Sequence, residues 1–217
     1  MLSLWAPGIL LTQSLLGGLT VLSKLTPAVL AAHLGVSLLL VAVLTLLTVR
    51  THRKGLLTRE RIGRRAGLTA VEVFAVGGTF TLLTLGVVVV GSGASLACMD
   101  WPLCAAASVP LGQGSLRLLQ GLHRLVAGGV ILMLGLLVMQ VYPLRRAWPT
   151  GWRLARLALI LALGQALRGG VLVWAQLPTW LRAAHLLPAT VVWVCTIAIA
   201  AACLWRPRLA SGAAGGA

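Results

Sequence analysis

Six long apolar stretches dominate this chain and decide what it can fold into. A helix that crosses the hydrocarbon of a bilayer needs about 20 mostly apolar residues, and each stretch is of that length. The long runs favour helices, because a transmembrane barrel would show alternating polar and apolar residues instead. We therefore predict an all-α, polytopic membrane protein with six transmembrane helices. The predicted spans cover residues 4–22, 28–49, 68–90, 119–142, 154–174 and 179–205.

The composition excludes the main soluble classes of protein. Only 10% of the 217 residues are charged and the mean hydropathy is +0.99, whereas globular domains carry about 25% charged residues. This balance rules out a soluble enzyme, a disordered chain and a disulfide-rich secreted domain. The expected surrounding of the chain is a lipid bilayer.

The charge is strongly one-sided, with 18 Lys and Arg residues against 3 Asp and Glu residues and a formal net charge of +15. The cations cluster between the apolar runs and not along one polar face, so no nucleic-acid partner is expected. Thirteen of them lie in the even-numbered connections and the C-terminal tail, and the positive-inside rule places that side in the cytoplasm. We predict a multi-pass protein of the cell membrane with both termini cytoplasmic. The predicted non-membrane segments are a basic cytoplasmic loop at 51–67, an outer loop at 98–117 and a disordered tail at 207–217.

The chain also carries an internal repeat at an offset of 152 residues. Nine of the 21 consecutive residues from Gln13 to His33 are identical at that offset, and these two match Gln165 and His185. The offset spans an even number of helices, so the two copies face the same way, as in parallel membrane repeats. We interpret the chain as an incomplete N-terminal half of two helices and a complete half of four helices. These halves are residues 1–50 and 68–206.

Three histidines lie a few residues into spans that begin on the predicted outer side. At a rise of about 1.5 Å per residue, His33, His123 and His185 reach a similar depth. One intramembrane histidine can simply bond a carbonyl, but three at one depth indicate ligands or proton-transfer groups. Zinc would need a further Cys, His or carboxylate, and none is obvious at this level. Neutral imidazoles facing each other from two helices in apolar surroundings instead suit a bis-His haem.

Glycines and arginines accompany the histidines. The glycine pairs at 17–18 and 169–170 would let a flat macrocycle approach the backbone, and they would equally allow tight helix packing. Arg124, Arg168 and Arg182 are candidate partners of haem propionates, which would compensate cations that are costly at this depth. For Arg124 and Arg182 the alternative is snorkelling to the membrane interface.

The connection after the third span contains Cys98 and Cys104. Thiols on the outer side can be oxidised, and the intervening Pro102 permits a turn that brings them together, so we predict a disulfide. A reversible redox pair is the alternative. Cys195 and Cys203 lie within the sixth span and are interpreted as small apolar packing residues.

Taken together, these motifs resemble the haem A synthase family, membrane enzymes that oxidise a methyl group of haem O to the formyl group of haem A for terminal oxidases. The resemblance covers about residues 12–34 and 85–205. The motifs that carry it are Gly91-Ser-Gly, Cys98-Met-Asp-Trp-Pro-Leu-Cys104, His123-Arg124-Leu-Val-Ala and the twice-occurring Gln-x3-Gly-Gly segment that leads to Ala-Ala-His.

The resemblance implies eight helices in two four-helix halves, each with two histidine ligands for one haem. By this mapping His123 and His185 hold the cofactor haem b and its iron. His33 is one ligand of the substrate haem, and its partner lies in two helices that this chain lacks. The family has a glutamate important in catalysis three residues before the first-half histidine, whereas the place before His123 holds Gln120. No catalytic acid or base can therefore be assigned here.

The implied function is an oxidoreductase of haem A biosynthesis that serves cytochrome oxidase assembly. The implied partners are haem O, haem O synthase, an electron donor and further copies of the chain. We expect the chain to be truncated at its N-terminus, completed by a second chain, or a reduced relative that only carries haem. The alternative function is a non-catalytic bis-His electron carrier or haem-handling subunit, because one histidine pair suffices for it. A transporter is disfavoured, since no broken helix or buried carboxylate marks a substrate path.

Overall fold

The computed structural model describes residues 2–52, 70–104 and 114–204, and it consists of six long helices. All six are long and apolar enough to cross a membrane, so the chain is a multi-pass membrane protein, and the prediction of an all-α fold is confirmed. The described ranges contain no strand. The helices are α1 (Leu2–Leu22), α2 (Pro27–Thr51), α3 (Ala70–Gly91), α4 (Gly114–Val141), α5 (Pro149–Trp174) and α6 (Thr179–Leu204), with 3-10 turns at Ala94–Leu96 and Tyr142–Leu144.

The observed helix ends differ from the predicted spans mainly at the starts of α4 and α5. Both helices begin five residues earlier than predicted, at Gly114 and Pro149. The prediction counted apolar residues, but a helix continues through its polar ends, and proline at the first position suits a helix start. Pro27 begins α2 in the same way. The predicted tail and nearly all of the predicted basic loop lie outside the described residues.

Helices α3 to α6 form a closed ring in which α3 packs on α4, α4 on α5, α5 on α6 and α6 back on α3. In this ring α4 and α6 are diagonal, so side chains on their inner faces point towards each other across the bundle. Helix α2 packs on both α3 and α6, and α1 packs chiefly on α2. The division of the chain into two repeat halves stays a prediction.

The turns at one end of the bundle repeat at the offset seen in the sequence. We call this the histidine end, where α1, α3 and α5 finish and α2, α4 and α6 begin. Lys24 and Leu25 both have positive φ, at 53° and 64°, and so do Gln176 and Leu177, at 59° each. Two consecutive non-glycine residues in the left-handed region are uncommon. The turns also share a backbone bond that closes them, from Leu25 N to the oxygen of Thr20 and from Leu177 N to the equivalent oxygen.

The solid apolar core fills the half of the ring away from the histidine end. Every residue of α6 from Val192 to Cys203 except Val194 is buried, whereas none from Arg182 to Val191 is. Small residues line the inner face of α5 and allow its neighbours to approach closely. The core of the ring includes Leu134, Leu137 and Val141 of α4, Ala155, Ala158 and Ala162 of α5, and Val192, Cys195 and Ile199 of α6.

One tryptophan attaches α2 to this ring. The buried indole of Trp193 donates a hydrogen bond of 2.9 Å to the backbone oxygen of Leu38. Its ring also packs on Phe80 of α3, with 5.9 Å between centroids. These contacts fix the position of α2, and with it the position of His33.

Candidate functional site

Each of the three histidines lies against a glycine of the preceding helix. A Cβ built on Gly86 would lie 3.2 Å from Cε1 of His123, and one built on Gly17 would lie 3.3 Å from Cε1 of His33. The corresponding distance from Gly169 to His185 is 3.8 Å. Glycine at positions 86 and 17 therefore leaves room for the edge of an imidazole against the neighbouring backbone, whereas a Cβ at position 169 would make only an ordinary van der Waals contact.

These contacts answer the question left open by the glycine pairs. The first member of each pair contacts an imidazole, closely at Gly17 and at ordinary van der Waals distance at Gly169. Gly18 has no neighbour within 4 Å, and Gly170 lies against the ring of Trp101. The sequence did not single out Gly86, because α3 has no counterpart within this chain for the repeat to reveal.

The three imidazoles are unusual in their hydrogen bonding. Nδ1 of His33, His123 and His185 is buried and has no hydrogen-bond partner among the described residues. Leaving a buried polar group unpaired costs about 1–3 kcal/mol. In His33 and His123 the edge with Nδ1 and Cε1 faces the glycine, so Nε2 is the nitrogen left to meet a ligand.

His123 and His185 come from the two diagonal helices of the ring. In the described part of the chain no side chain is hydrogen-bonded to either ring, and Nδ1 of each ring is unpaired. Both lie at the level where α6 has no buried residue, above the solid core. Two unengaged imidazoles thus face the less densely packed half of the bundle.

These residues fit the donor set of a bis-His haem. Such a site needs two neutral imidazoles on opposite sides of an apolar space, and two imidazoles on diagonal helices with no side chain bonded to them suit that need. The ranges 2–52, 70–104 and 114–204 hold no group of three or more His, Cys, Asp or Glu residues that could bind a metal ion. The side chains present therefore suit a metal that brings most of its own ligands.

Gln165 and Arg168 connect α5 to the backbone around His185. The Gln165 amide donates to the backbone oxygen of His185. Arg168 donates to Oε1 of Gln165 at 2.7 Å and to the oxygen of Ala184 at 3.3 Å. This network sets the height of α6 against α5, and it places the Arg168 guanidinium near the histidine.

Arg124 holds the loop segment around Cys98 and Asp100, a contact that the sequence did not suggest. Its guanidinium donates to the backbone oxygen of Cys98 at 2.8 Å and to that of Asp100. Charge-assisted bonds of this kind are stronger than neutral ones. Arg182, by contrast, is exposed and donates only to the Thr179 hydroxyl at 3.3 Å among the described residues.

The loop itself covers the histidine end of α4 and α5. The sulfur atoms of Cys98 and Cys104 lie at bonding distance, with their Cα atoms 5.7 Å apart. The ring of Trp101 approaches within 3.1 Å of a Cβ built on Gly170 and meets Trp174 edge-on at 6.1 Å. The loop is thereby held against the two helices that carry His123 and the Gln165–Arg168 network.

Gln120 also attaches to this loop. Its amide donates to the backbone oxygen of Ser95 at 2.7 Å, while its own oxygen is buried without a partner among the described residues. Gln120 thus helps to hold the loop.

One expectation about buried charge was wrong. The sequence was expected to contain no buried carboxylate, but Glu72 in the first turn of α3 is only 2% exposed. It accepts a bond of 2.7 Å from the Gln140 amide at the end of the bundle opposite the histidines. The surrounding helix ends, which only the fold brings together, explain why the sequence did not reveal it. Cys195 and Cys203 are buried, as expected of packing residues.

Comparisons with known proteins give a family match and three similar relatives. Residues 1–197 match the model of the COX15-CtaA family, described as cytochrome oxidase assembly protein. The chain is 29% identical over 186 residues to a heme A synthase of Geobacillus kaustophilus, and 28% identical over 184 residues to one of Geobacillus thermodenitrificans; each alignment covers 81% of this chain and 56% of the relative. It is 30% identical over 187 residues to a heme A synthase of Alkalihalophilus pseudofirmus, covering 81% of this chain and 59% of that protein.

The chain therefore spans a little over half the length of these curated relatives. The family match extends over nearly all of the described helices, including those that carry the three histidines. On this match the chain belongs to the COX15-CtaA family of cytochrome oxidase assembly proteins.

Proposed function

We propose that this chain acts in haem A biosynthesis as a haem A synthase-type oxidoreductase, which oxidises the methyl group of haem O to the formyl group of haem A. The observation that carries the proposal is the pair of unengaged imidazoles, His123 and His185, on the diagonal helices of the ring. Membership of a cytochrome oxidase assembly family and the similarity to three heme A synthases support it.

In this proposal Nε2 of His123 and Nε2 of His185 hold the iron of haem b. When bound, haem b supplies one-electron transfer. Gly86 lets the His123 ring approach the helix backbone closely and so limits its orientation. The Gln165–Arg168 network holds α6 at the height that keeps His185 facing α4.

The remaining residues exclude water and balance charge. The loop with Cys98 and Cys104, held by Arg124 and proposed to contain a disulfide, covers the site from the outer side. The solid core below the histidines keeps the opposite side dry, and a dry site strengthens every electrostatic interaction within it. Arg168 and Arg182 are the proposed propionate partners, with Arg124 as a third whose donors the loop already uses.

His33 is proposed as one ligand of the substrate haem O. Haem O synthase, an electron donor and further copies of this chain are the proposed partners, and the cell membrane is the proposed location, with both termini cytoplasmic. The side chains described here offer no group that we assign as the catalytic acid or base.

Absorption spectra of the purified chain, loaded with haem in detergent, test the iron ligands. We expect a low-spin bis-His spectrum that is lost in His123→Ala and in His185→Ala. His52→Ala is the matched control, because His52 lies exposed at the far end of α2. An unchanged low-spin spectrum in both ligand variants would refute the assignment.

A non-catalytic bis-His electron carrier is the second candidate, since the described residues bring together one pair of unengaged histidines and no assigned acid or base. Co-expression with a source of haem O separates the two functions. Extracted pigment that contains haem A supports the enzyme. Haem b with unmodified haem O supports the carrier.

A further inference from the structure

The two glutamines related by the internal repeat make different contacts with their histidines. The Gln13 amide lies on the ring of His33, with Nε2 of the amide 3.2 Å from Nε2 of the imidazole. Its repeat equivalent, Gln165, bonds the backbone oxygen of His185 and leaves that ring alone. The same residue type at the same repeat position is thus hydrogen-bonded to one imidazole ring but not to the other.

The contact of Gln13 involves the nitrogen of His33 that a metal would need. The edge of the ring with Cε1 and Nδ1 faces Gly17, where a Cβ would lie 3.3 Å and 3.8 Å from those atoms. An iron atom cannot reach Nδ1 on that side, so Nε2 is the only nitrogen open to it. Gln13 covers this nitrogen.

A second hydrogen bond holds the amide in place. Ser37 donates its hydroxyl proton to the backbone oxygen of His33 at 2.9 Å, so the Ser37 oxygen is free to accept from Gln13, which contacts it. The Gln13 amide nitrogen therefore donates to two acceptors, the Ser37 oxygen and Nε2 of His33. In this ring Nε2 carries no proton and has a free lone pair. This is also the form that binds iron, which means that amide and iron compete for one lone pair.

We propose that Gln13 controls the access of an iron porphyrin to His33. The amide must leave Nε2 before iron can bind there, so His33 is an exchangeable ligand, whereas His123 and His185 bind without displacing a side chain. This inference rests on the proposed function only in taking an iron porphyrin as the ligand. Gln13 is the residue that makes iron-porphyrin binding at His33 weaker than binding at His123 and His185.

The test is a titration of the purified chain in detergent with haemin, followed by absorption. One equivalent first fills the site of His123 and His185, and the dissociation constant of a second equivalent is then measured. In Gln13→Leu we expect that constant to fall about tenfold, the factor that corresponds to one net hydrogen bond of roughly 1.4 kcal/mol. Gln13→Asn, whose shorter side chain does not reach the ring, should show the same direction of change.

Two controls identify the site. Ser14→Ala should leave the second constant unchanged, because Ser14 is exposed on the same helix and its hydroxyl bonds only the Leu10 oxygen among the described residues. His33→Ala should abolish the second equivalent while the first remains.

Three results would overturn the proposal. The first is a second dissociation constant that stays within a factor of about two of the wild-type value in both Gln13 variants, well below the effect of one hydrogen bond. The second is a higher second dissociation constant in those variants. The third is binding of a second equivalent in His33→Ala. Failure of the proposed function gives a different result, because there the first equivalent keeps its low-spin spectrum in His123→Ala and His185→Ala.

Discussion

Replacing Gly86 by alanine should weaken haem binding without unfolding the bundle. The added Cβ would lie 3.2 Å from Cε1 of His123, so the ring must move by a few tenths of an ångström. Without haem the ring can shift and relieve the contact, but a ring bound to iron cannot, so the strain appears in the binding step. Overpacking costs about 1–3 kcal/mol, and the low end of that range corresponds to roughly fivefold weaker binding.

Haemin titration and thermal unfolding of the haem-free protein separate the two effects. Alanine gains up to about 1 kcal/mol of helix propensity over glycine, so the melting temperature of the haem-free Gly86→Ala protein should stay the same or rise by up to about 4 °C, while the dissociation constant for haem rises. The measurement requires only absorption and circular dichroism in detergent.

Two other glycines serve as matched controls. Gly169→Ala places a Cβ at 3.8 Å from Cε1 of His185, an ordinary contact, and Gly128→Ala meets nothing within 4 Å. Both should leave the haem affinity within a factor of about two, because no overpacking arises. If Gly86→Ala binds haem as tightly as Gly128→Ala, or if Gly169→Ala weakens haem binding as much as Gly86→Ala does, haem binding does not depend on the close contact between Gly86 and the His123 ring and our reasoning is wrong.

Two further predictions concern the elements around the site. Arg124→Ala should raise the rate of backbone hydrogen exchange in the loop that carries the cysteine pair, because two backbone oxygens lose a charged donor. Arg182→Ala should leave that rate unchanged. Equal exchange rates in the two variants would show that Arg124 does not hold the loop. Trp193→Phe should lower the free energy of unfolding by about 0.5–1.5 kcal/mol, because the hydrogen bond from the indole to the Leu38 oxygen is lost. Trp180→Phe, at a residue 71% exposed, is the control, and equal effects of the two changes would show that the indole bond does not hold α2.

The histidines show which features of the site the sequence can predict and which it cannot. Their shared depth follows from counting residues into each span, because a helix rises by a constant amount per residue. Counting along single helices cannot show which helices stand opposite each other. The ring that makes α4 and α6 diagonal depends on packing between residues far apart in the chain.

Gln13 and Gln165 show a second limit. The repeat reveals that they are equivalent, but one bonds an imidazole and the other a backbone oxygen. The difference arises from neighbours that the repeat does not share. Ser37 holds the first amide, and Arg168 bonds the second.

Arg124 shows a third limit. The sequence suggested propionate pairing or snorkelling for a cation at that depth. It did not suggest a bond to the backbone of the loop that precedes α4. A loop of irregular structure offers unpaired carbonyl groups, and a buried carbonyl needs a donor. Which donor is near enough depends on how the loop folds back over the bundle.

By itself, the sequence determined that the chain is a six-helix membrane protein, that three histidines share one level and that part of the chain repeats. These properties follow from local rules, namely the length of apolar runs, the helical rise and residue identity. Only the tertiary structure decided that His123 and His185 come from diagonal helices, that Gly86 and Gly17 lie close against the rings of His123 and His33, and that Gln13 contacts Nε2 of His33. Such contacts join residues from different helices, and their distances depend on the packing of the whole bundle.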